Sequence, residues 1–309
     1  MPRQARGESI DPRAVQLIHC THRCVRQAFL CGEDKYSGKS FEHRRGWIEE
    51  RLKLLSSAFA IDCLTYSIVH NHLHVLLRTR PDIVDQWTDQ EIAERWVILH
   101  PNYRQRERPK SVSKDQVVDW LLGDKDLIAT IRERLSDVSK WMGSLAGPIA
   151  RRANKEEGKK GHFWEDRFGS QLILDEAGLL ACAIYVDLNP VRAALAETPE
   201  TSHFTGAKAR LDDLQQAKPE NPDTHEWERS TDRQCSGWLS PVEINETRDE
   251  AGTDICPDRR RASRKGFLSM PLAKYLQLLD WTGRQIVRFH PGAPGFNPRS
   301  NRTQKRSVV

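Results

Sequence analysis

The sequence predicts an α+β fold, with segments in the order strand, helix, strand, strand, then a helical region, a short strand and a helix. Two observations lead to this prediction. Residues 40–59 place apolar side chains at steps of three and four, which indicates an amphipathic helix. Residues 63–81, CLTYSIVHNHLHVLLRTRP, are mostly apolar and read as strand, with three histidines at alternate positions.

The elements follow in chain order. A first strand is predicted within residues 14–26, AVQLIHCTHRCVR, and the amphipathic helix comes after a polar turn. Residues 61–68 and 72–79 are predicted as two strands joined by a tight turn. Residues 82–140 are charged and contain helical pieces, so we interpret them as a helical insertion.

The second half contains fewer regular elements. Residues 150–162, ARRANKEEGKKGH, are predicted as a basic loop, residues 163–174 as a short strand and residues 175–196 as a helix. We expect one main domain over residues 1–200. Residues 201–309 are expected to hold a linker, the basic segment RRRASRK and a partly disordered C-terminal tail.

Charge and composition narrow the class of protein. The chain has 48 Lys and Arg against 43 Asp and Glu, a mild basic excess that is compatible with a nucleic-acid partner. No secretory signal and no apolar run of membrane-spanning length is apparent. The seven cysteines lack the density of a disulfide scaffold, so we expect a cytoplasmic protein with reduced thiols.

The histidines at 70, 72 and 74 would share one face of a strand, while Leu73 and Val75 would point into a core. Two imidazoles at alternate positions are able to reach one metal ion. The competing interpretation is a solvent-exposed polar face, which is common in antiparallel sheets.

The helix at 175–196 carries an apolar stripe suited to packing on a sheet. Tyr185 and Asn189, four residues apart, lie side by side at the edge of this stripe. A tyrosine there is usually a half-buried rim residue. If the helix packs beside the histidine strand, however, it brings a phenol and an amide to the same place.

Two blocks of sequence resemble a known family. His72-Leu73-His74 matches a His-hydrophobic-His (HUH) motif, and residues 161–195, from GHFWEDRF to YVDLNPVRAAL, resemble the second motif block of the single-tyrosine HUH transposases. The REP-associated tyrosine transposases are the group that the chain resembles most, over roughly residues 14–200. The order of the two motifs carries the specificity, since HLH alone is a weak signal.

The resemblance implies a ferredoxin-like antiparallel sheet with helices on one face, and an HUH transposase-like catalytic domain. It implies cleavage of single-stranded or hairpin DNA through a 5′-phosphotyrosine, with Mg²⁺ or Mn²⁺. Carried over by motif, Tyr185 is the nucleophile, and His72, His74 and Asn189 are the metal ligands. A protein with a DNA partner of this kind would be associated with the nucleoid, and it would act as a monomer or a homodimer.

Alternatives remain open at this point. His70 and His72 form a rival pair, although Asn71 between them breaks the apolar pattern. Asn189 precedes Pro190, so it could instead cap a new helix. A domesticated relative could bind DNA hairpins without cutting them.

Candidate DNA contacts lie near these motifs. Arginine beside aromatic residues suits unpaired bases and phosphates, and basic runs follow a DNA backbone. The candidates are Arg23, Arg26, Arg151, Arg152, Trp164 and Arg167. A separate hypothesis is a structural zinc site formed by His19, Cys20, His22 and Cys24 of the first strand with the later Cys31, although strand alternation would put His22 and Cys24 on one face and His19 on the other.

Overall fold

The computed structural model describes residues 10–25, 30–34, 38–101, 112–216, 237–244, 255–256 and 258–289. Its centre is a sheet with the strand order β2-β3-β1-β4, in which every neighbouring pair is antiparallel. The strands and the first helix are β1 (Leu17–Arg23), α1 (His43–Ala58), β2 (Ile61–Ile68), β3 (His72–Thr79) and β4 (Gly169–Ile173). The α+β class and the antiparallel sheet are therefore confirmed, and the connectivity is that of a ferredoxin-like order.

The other helices lie in two regions of the chain. Those between β3 and β4 are α2 (Pro81–Val84), α3 (Asp89–Leu99), α4 (Lys114–Leu122), α5 (Lys125–Arg134) and α6 (Val138–Glu157). Those after β4 are α7 (Glu176–Asp187), α8 (Asn189–Arg192), α9 (Gly206–Gln216) and α10 (Leu272–Phe289). The segment 82–140 is helical, as predicted, although residues 102–111 lie outside the described part.

Helix α6 extends further than the sequence indicated. Residues 150–157, predicted as loop, form its last turns. Ile149 and Ala153 are buried four residues apart, so the apolar face continues through the charged sequence. The helix ends at Gly158, whose φ of 64° is the left-handed conformation that glycine adopts at low cost.

Helices cover both faces of the sheet, so the expectation of helices on one face is wrong. Residues of β1 and β3 such as Ile18 and Leu73 form a first core with α1 and the helices α3 to α6. Leu76 of β3 belongs to a second core, on the opposite face, with α7, α8 and α10. Strand β2 is buried at every position, which only a sheet covered on both faces allows.

Segments beyond residue 200 are part of this packed structure. The outer edge of β2 forms single bridges with Thr205 and Leu239. In the predicted basic segment, Ser263 donates from its amide and its hydroxyl to the buried carboxylate of Asp62. The packed region therefore continues well past the predicted boundary at 200. Residues 217–236 of the predicted linker region and the predicted tail at 290–309 lie outside the described residues.

Across the described residues, no helix combines the length and the apolar character that crossing a membrane requires.

Candidate functional site

The two histidines of the HUH motif face helix α7. On the antiparallel β1–β3 pair, His72 lies opposite Arg23 and His74 lies opposite Thr21. Leu73 points the other way into the first core, as expected from the alternation of strand side chains. His74 is almost fully buried and His72 is half-buried.

His70 does not share this face. It lies in the turn before β3, and its ring packs against Gly32, where an added Cβ would lie 2.8 Å from the ring. Gly32 has a φ of 96°, so this close approach requires glycine both for space and for backbone conformation. His70 and His72 therefore do not lie side by side on one face of β3, and the rival pair is not formed.

Helices α7 and α8 bring a phenol and an amide to the histidines. The ring centres of Tyr185 and His74 are 5.5 Å apart, with the rings perpendicular. The amide nitrogen of Asn189 lies 3.3 Å from Nε2 of His74. The ring centres of His72 and His74 are 4.8 Å apart, so all four motif residues meet in one place.

The helix is interrupted between the phenol and the amide. Helix α7 ends at Asp187, and Asn189 is the first residue of α8, followed by Pro190. Pro190 has no backbone N–H to donate to Val186, and its ring crowds the carbonyl of that residue, which accounts for the break. Leu188 occupies the capping position, so Asn189 begins α8 and does not cap it, and its amide nitrogen is directed at His74.

A third histidine, His19 of β1, completes the cluster. Its Nε2 lies 3.0 Å from Nδ1 of His74, and the two rings are stacked with centres 5.2 Å apart. The ring of His19 also lies edge-on to the ring of Tyr185, with ring centres 6.0 Å apart. The sequence grouped His19 with the nearby cysteines. Only the pairing of β1 with β3, which the sequence does not specify, places it beside His74.

The hypothesis of a zinc site on β1 is not supported by these positions. His19 faces α7, whereas Cys20 and Cys24 belong to the first core on the opposite face. Burial raises the pKa of the Cys31 thiol to about 12, so it stays protonated at neutral pH. Within the described ranges, no group of three or more His, Cys, Asp or Glu side chains has a metal-binding arrangement.

Burial keeps the site imidazoles uncharged. It lowers the pKa of His74 to about 3 and that of His19 to about 4. Burial lowers the pKa of His72 as well, helped by the positive charge of Arg23. At neutral pH these rings are therefore neutral and each has one nitrogen lone pair available.

The donor set fits a divalent cation that retains water. Two neutral imidazoles and one amide oxygen leave coordination positions for water and for phosphate, as Mn²⁺ and Mg²⁺ sites do. In the structure the amide nitrogen of Asn189, rather than its oxygen, faces His74. The two atoms exchange places when the amide is flipped, and so Asn189 could join His72 and His74 as a ligand.

Two arginines line the exposed side of the site. Arg23 is exposed and lies across from His72. The guanidinium carbon of Arg192 is 5.3 Å from the centre of the Tyr185 ring. The sequence analysis did not select Arg192, although it follows Tyr185 by seven residues, two helical turns. Arg167 is exposed just before β4, and Arg26 lies outside the described residues.

Three other candidates lie away from the site. Trp164 donates its indole N–H to the carbonyl of Ala146 and stacks on His22, with ring centres 4.2 Å apart. Arg151 and Arg152 are on helix α6, which packs on the opposite face of the sheet from α7. The guanidinium of Arg152 lies 3.7 Å from the ring centre of Trp47. The structure therefore does not bring these three residues to Tyr185.

Comparison with known proteins gives one weak similarity. No protein-family model matches the chain, and no curated protein matches it. A solved structure, described as a REP-associated tyrosine transposase bound to a REP hairpin, is similar over 64% of this chain and 79% of its own length. The identity is 8% and the TM-score is 0.37. A similarity of this degree assigns no activity to the chain, whose function therefore rests on the side chains described above.

Proposed function

We propose that the protein is a metal-dependent endonuclease and strand transferase of the transposase type, acting on single-stranded DNA with Tyr185 as nucleophile. The observation that carries this proposal is the position of Tyr185. Its side chain is 39% exposed, and its ring lies edge-on to His74, which in turn contacts Asn189. A solvent-accessible phenol thus lies beside neutral imidazoles, and this proximity supports the proposal.

In the proposed reaction the phenol oxygen of Tyr185 attacks the phosphorus of a DNA phosphodiester. The new O–P bond forms as the bond from phosphorus to the 3′ oxygen breaks, and the phenol proton passes overall to that oxygen. The products are a 5′-phosphotyrosine and a free 3′-OH. Because the new linkage is again a phosphodiester, the 3′-OH of another strand can reverse the step without ATP.

His72, His74 and Asn189 are the residues proposed to hold Mg²⁺ or Mn²⁺. A cation bound there would act as a Lewis acid on a non-bridging oxygen of the scissile phosphate. The side-chain oxygen of Asn71 lies 2.7 Å from Nδ1 of His72 and accepts a hydrogen bond from its N–H. This leaves Nε2 of that ring to bind a cation. Burial of His74 prevents a second proton from binding at neutral pH, so one of its ring nitrogens keeps its lone pair.

Arg23 and Arg192 are proposed to contact phosphates on either side of the scissile bond. Guanidinium groups suit this role because they donate several hydrogen bonds to phosphate oxygens. Hairpin-forming DNA is the substrate that the family resemblance implies, and we propose it here. Tyr185 lies beside the histidines of its own chain, so a single chain would suffice for cleavage.

The proposal is tested by incubating labelled single-stranded hairpin DNA with the protein in Mn²⁺, Mg²⁺ or EDTA. A covalent protein–DNA adduct that survives denaturing electrophoresis is expected with either metal and not with EDTA. Tyr185→Phe should abolish it, and His72→Ala should reduce it at least a hundredfold. Tyr66→Phe is the matched control, because it removes one tyrosine hydroxyl on the opposite face of the sheet.

An adduct that persists in Tyr185→Phe would exclude Tyr185 as the nucleophile. Hairpin binding by the wild-type protein without any adduct, in both metals, would favour the alternative of a DNA-binding protein that does not cut.

A further inference from the structure

A buried carboxylate lies between the two candidate site residues of the helix pair. Asp187 follows Tyr185 by two positions and precedes Asn189 by two, and its side chain is fully buried. Tyr185 and Asn189 are directed at His74, whereas Asp187 is directed at other elements of the fold. A charge buried to this extent requires hydrogen-bond donors to offset its loss of water.

Asp187 has such donors from β2, α9 and α10. The hydroxyl of Thr65 on β2 donates to Oδ1 at 2.6 Å, and the backbone amide of Ala207 at the start of α9 donates to the same oxygen at 2.9 Å. The hydroxyl of Tyr275 on α10 donates to Oδ2 at 2.6 Å. The carboxylate therefore joins the α7–α8 junction to a strand and to two helices beyond residue 200.

The surrounding backbone is fitted closely to this arrangement. A Cβ at Gly206 would lie 2.0 Å from the hydroxyl of Thr65, so the start of α9 can approach β2 only with glycine at this position. A Cβ at Gly283 of α10 would be in ordinary contact with Leu188, the residue between Asp187 and Asn189. Helix α10 thus lies against the junction as well as bonding to Asp187.

We propose that Asp187 and Tyr275 are positioning residues that hold Tyr185 and Asn189 at His74, which makes helix α10 a functional part of the site. The inference rests on the proposed function for its catalytic consequence. The structural part of the inference does not depend on catalysis. It says only that the Tyr275–Asp187 bond holds the α7–α8 junction in place. Losing the Tyr275 bond should loosen residues 184–192 before it unfolds the sheet.

The test compares Tyr275→Phe with Tyr66→Phe. Both tyrosines are buried, and each donates its hydroxyl to a carboxylate, Tyr275 to Asp187 and Tyr66 to Glu49 at 2.8 Å. Amide hydrogen exchange is measured first. Tyr275→Phe should speed exchange in residues 184–192 by about tenfold and leave α1 unchanged, whereas Tyr66→Phe should not affect 184–192.

The second readouts are Mn²⁺ affinity and cleavage kinetics. Tyr275→Phe should weaken Mn²⁺ binding and lower kcat, each by about tenfold, with a smaller change in KM for DNA, because Arg23 lies on β1, outside the loosened segment. Thr65→Val removes a donor from the same carboxylate at similar volume, and should reproduce these effects if Tyr275→Phe does not fold.

Equal exchange in residues 184–192 for Tyr275→Phe, Thr65→Val and the wild type would overturn the inference. A wild-type protein that neither binds Mn²⁺ nor cuts DNA would instead contradict the proposed function, and the exchange data would still decide the structural part of the inference. Loss of thermal stability alone, alike in Tyr275→Phe and Tyr66→Phe, would also contradict the inference.

Discussion

Nitrogen contacts link three side chains of the candidate site, from Asn189 through His74 to His19. An amide nitrogen donates its hydrogens, so Nε2 of His74 accepts from Asn189 and its Nδ1 carries the proton that is donated to His19. This arrangement holds His74 in the tautomer whose Nε2 lone pair faces Asn189. Metal-binding histidines are usually held in this way by a partner on the other ring nitrogen.

His19→Phe tests this role. The substitution keeps an aromatic ring stacked on His74 but removes the acceptor of its proton, so Mn²⁺ should bind about ten- to a hundredfold more weakly. The affinity is measured by titration with detection of free Mn²⁺ by electron paramagnetic resonance. His22→Phe on the same strand is the control, because that ring stacks on Trp164 away from Tyr185. If both variants bind Mn²⁺ as the wild type does, His19 does not orient His74.

Individual site residues were predictable where a local motif carries them. His72 and His74 follow from alternation on a strand, and Tyr185 and Asn189 from spacing on a helix, which brings all four to one place as the motifs implied. His19 was not predictable, because its contact depends on the register between β1 and β3. Their ligand and nucleophile roles remain predictions until the experiments above are made.

The elements were predictable as far as their periodicity is continuous. The strands β2 and β3 have the predicted bounds, because a polar turn separates two apolar runs. The end of α6 was not predicted, since lysine and glutamate are as common in loops as on helix surfaces. A loop and a helix differ in whether one residue per turn is buried, and this burial depends on what the helix packs against.

Two glycines in helices should respond in opposite directions to alanine. Gly143 of α6 is exposed, and a Cβ there would meet nothing within 4 Å, so Gly143→Ala should stabilise the protein by about 0.5–1 kcal/mol. Gly206→Ala should destabilise it by about 1–3 kcal/mol, because the Cβ would overlap the hydroxyl of Thr65. Urea denaturation of both variants measures the free energies of unfolding. A stabilising Gly206→Ala would show that α9 can move away from β2.

At the scale of the whole molecule, the site lies at the second core, which residues beyond 200 help to form. Phe267, Leu272 and Tyr275 pack there with residues of α7. The sequence after residue 200 is rich in polar and charged residues apart from one short apolar segment at 267–283, so composition indicated a linker, a basic segment and a tail. Contacts between residues far apart in sequence bring residues 267–279 into this core, and composition does not reveal such contacts.

Stability should depend on pH because the second face of the sheet buries uncharged histidines. The folded-state pKa values of His19, about 4, and His74, about 3, lie below the usual value of 6.5 that applies in the unfolded chain. Between pH 6.5 and about 4 the unfolded chain therefore binds more protons than the folded protein. The free energy of unfolding then falls as the pH drops, by up to about 1.4 kcal/mol per pH unit for each histidine.

His19→Phe should make this dependence shallower by about 1 kcal/mol per pH unit, since one of the buried histidines no longer titrates. The measurement is urea denaturation of the wild type and the variant in EDTA at several pH values from 7.5 to 4.5, so that metal binding does not contribute. Carboxylates common to both proteins cancel in the difference between the two slopes. Near pH 7.5 the slopes should nearly coincide, because these histidines are then largely uncharged in both the folded and the unfolded state. Parallel curves down to pH 4.5 would mean that His19 is protonated in the folded protein as readily as in the unfolded chain, and that its contact with His74 does not require the neutral ring.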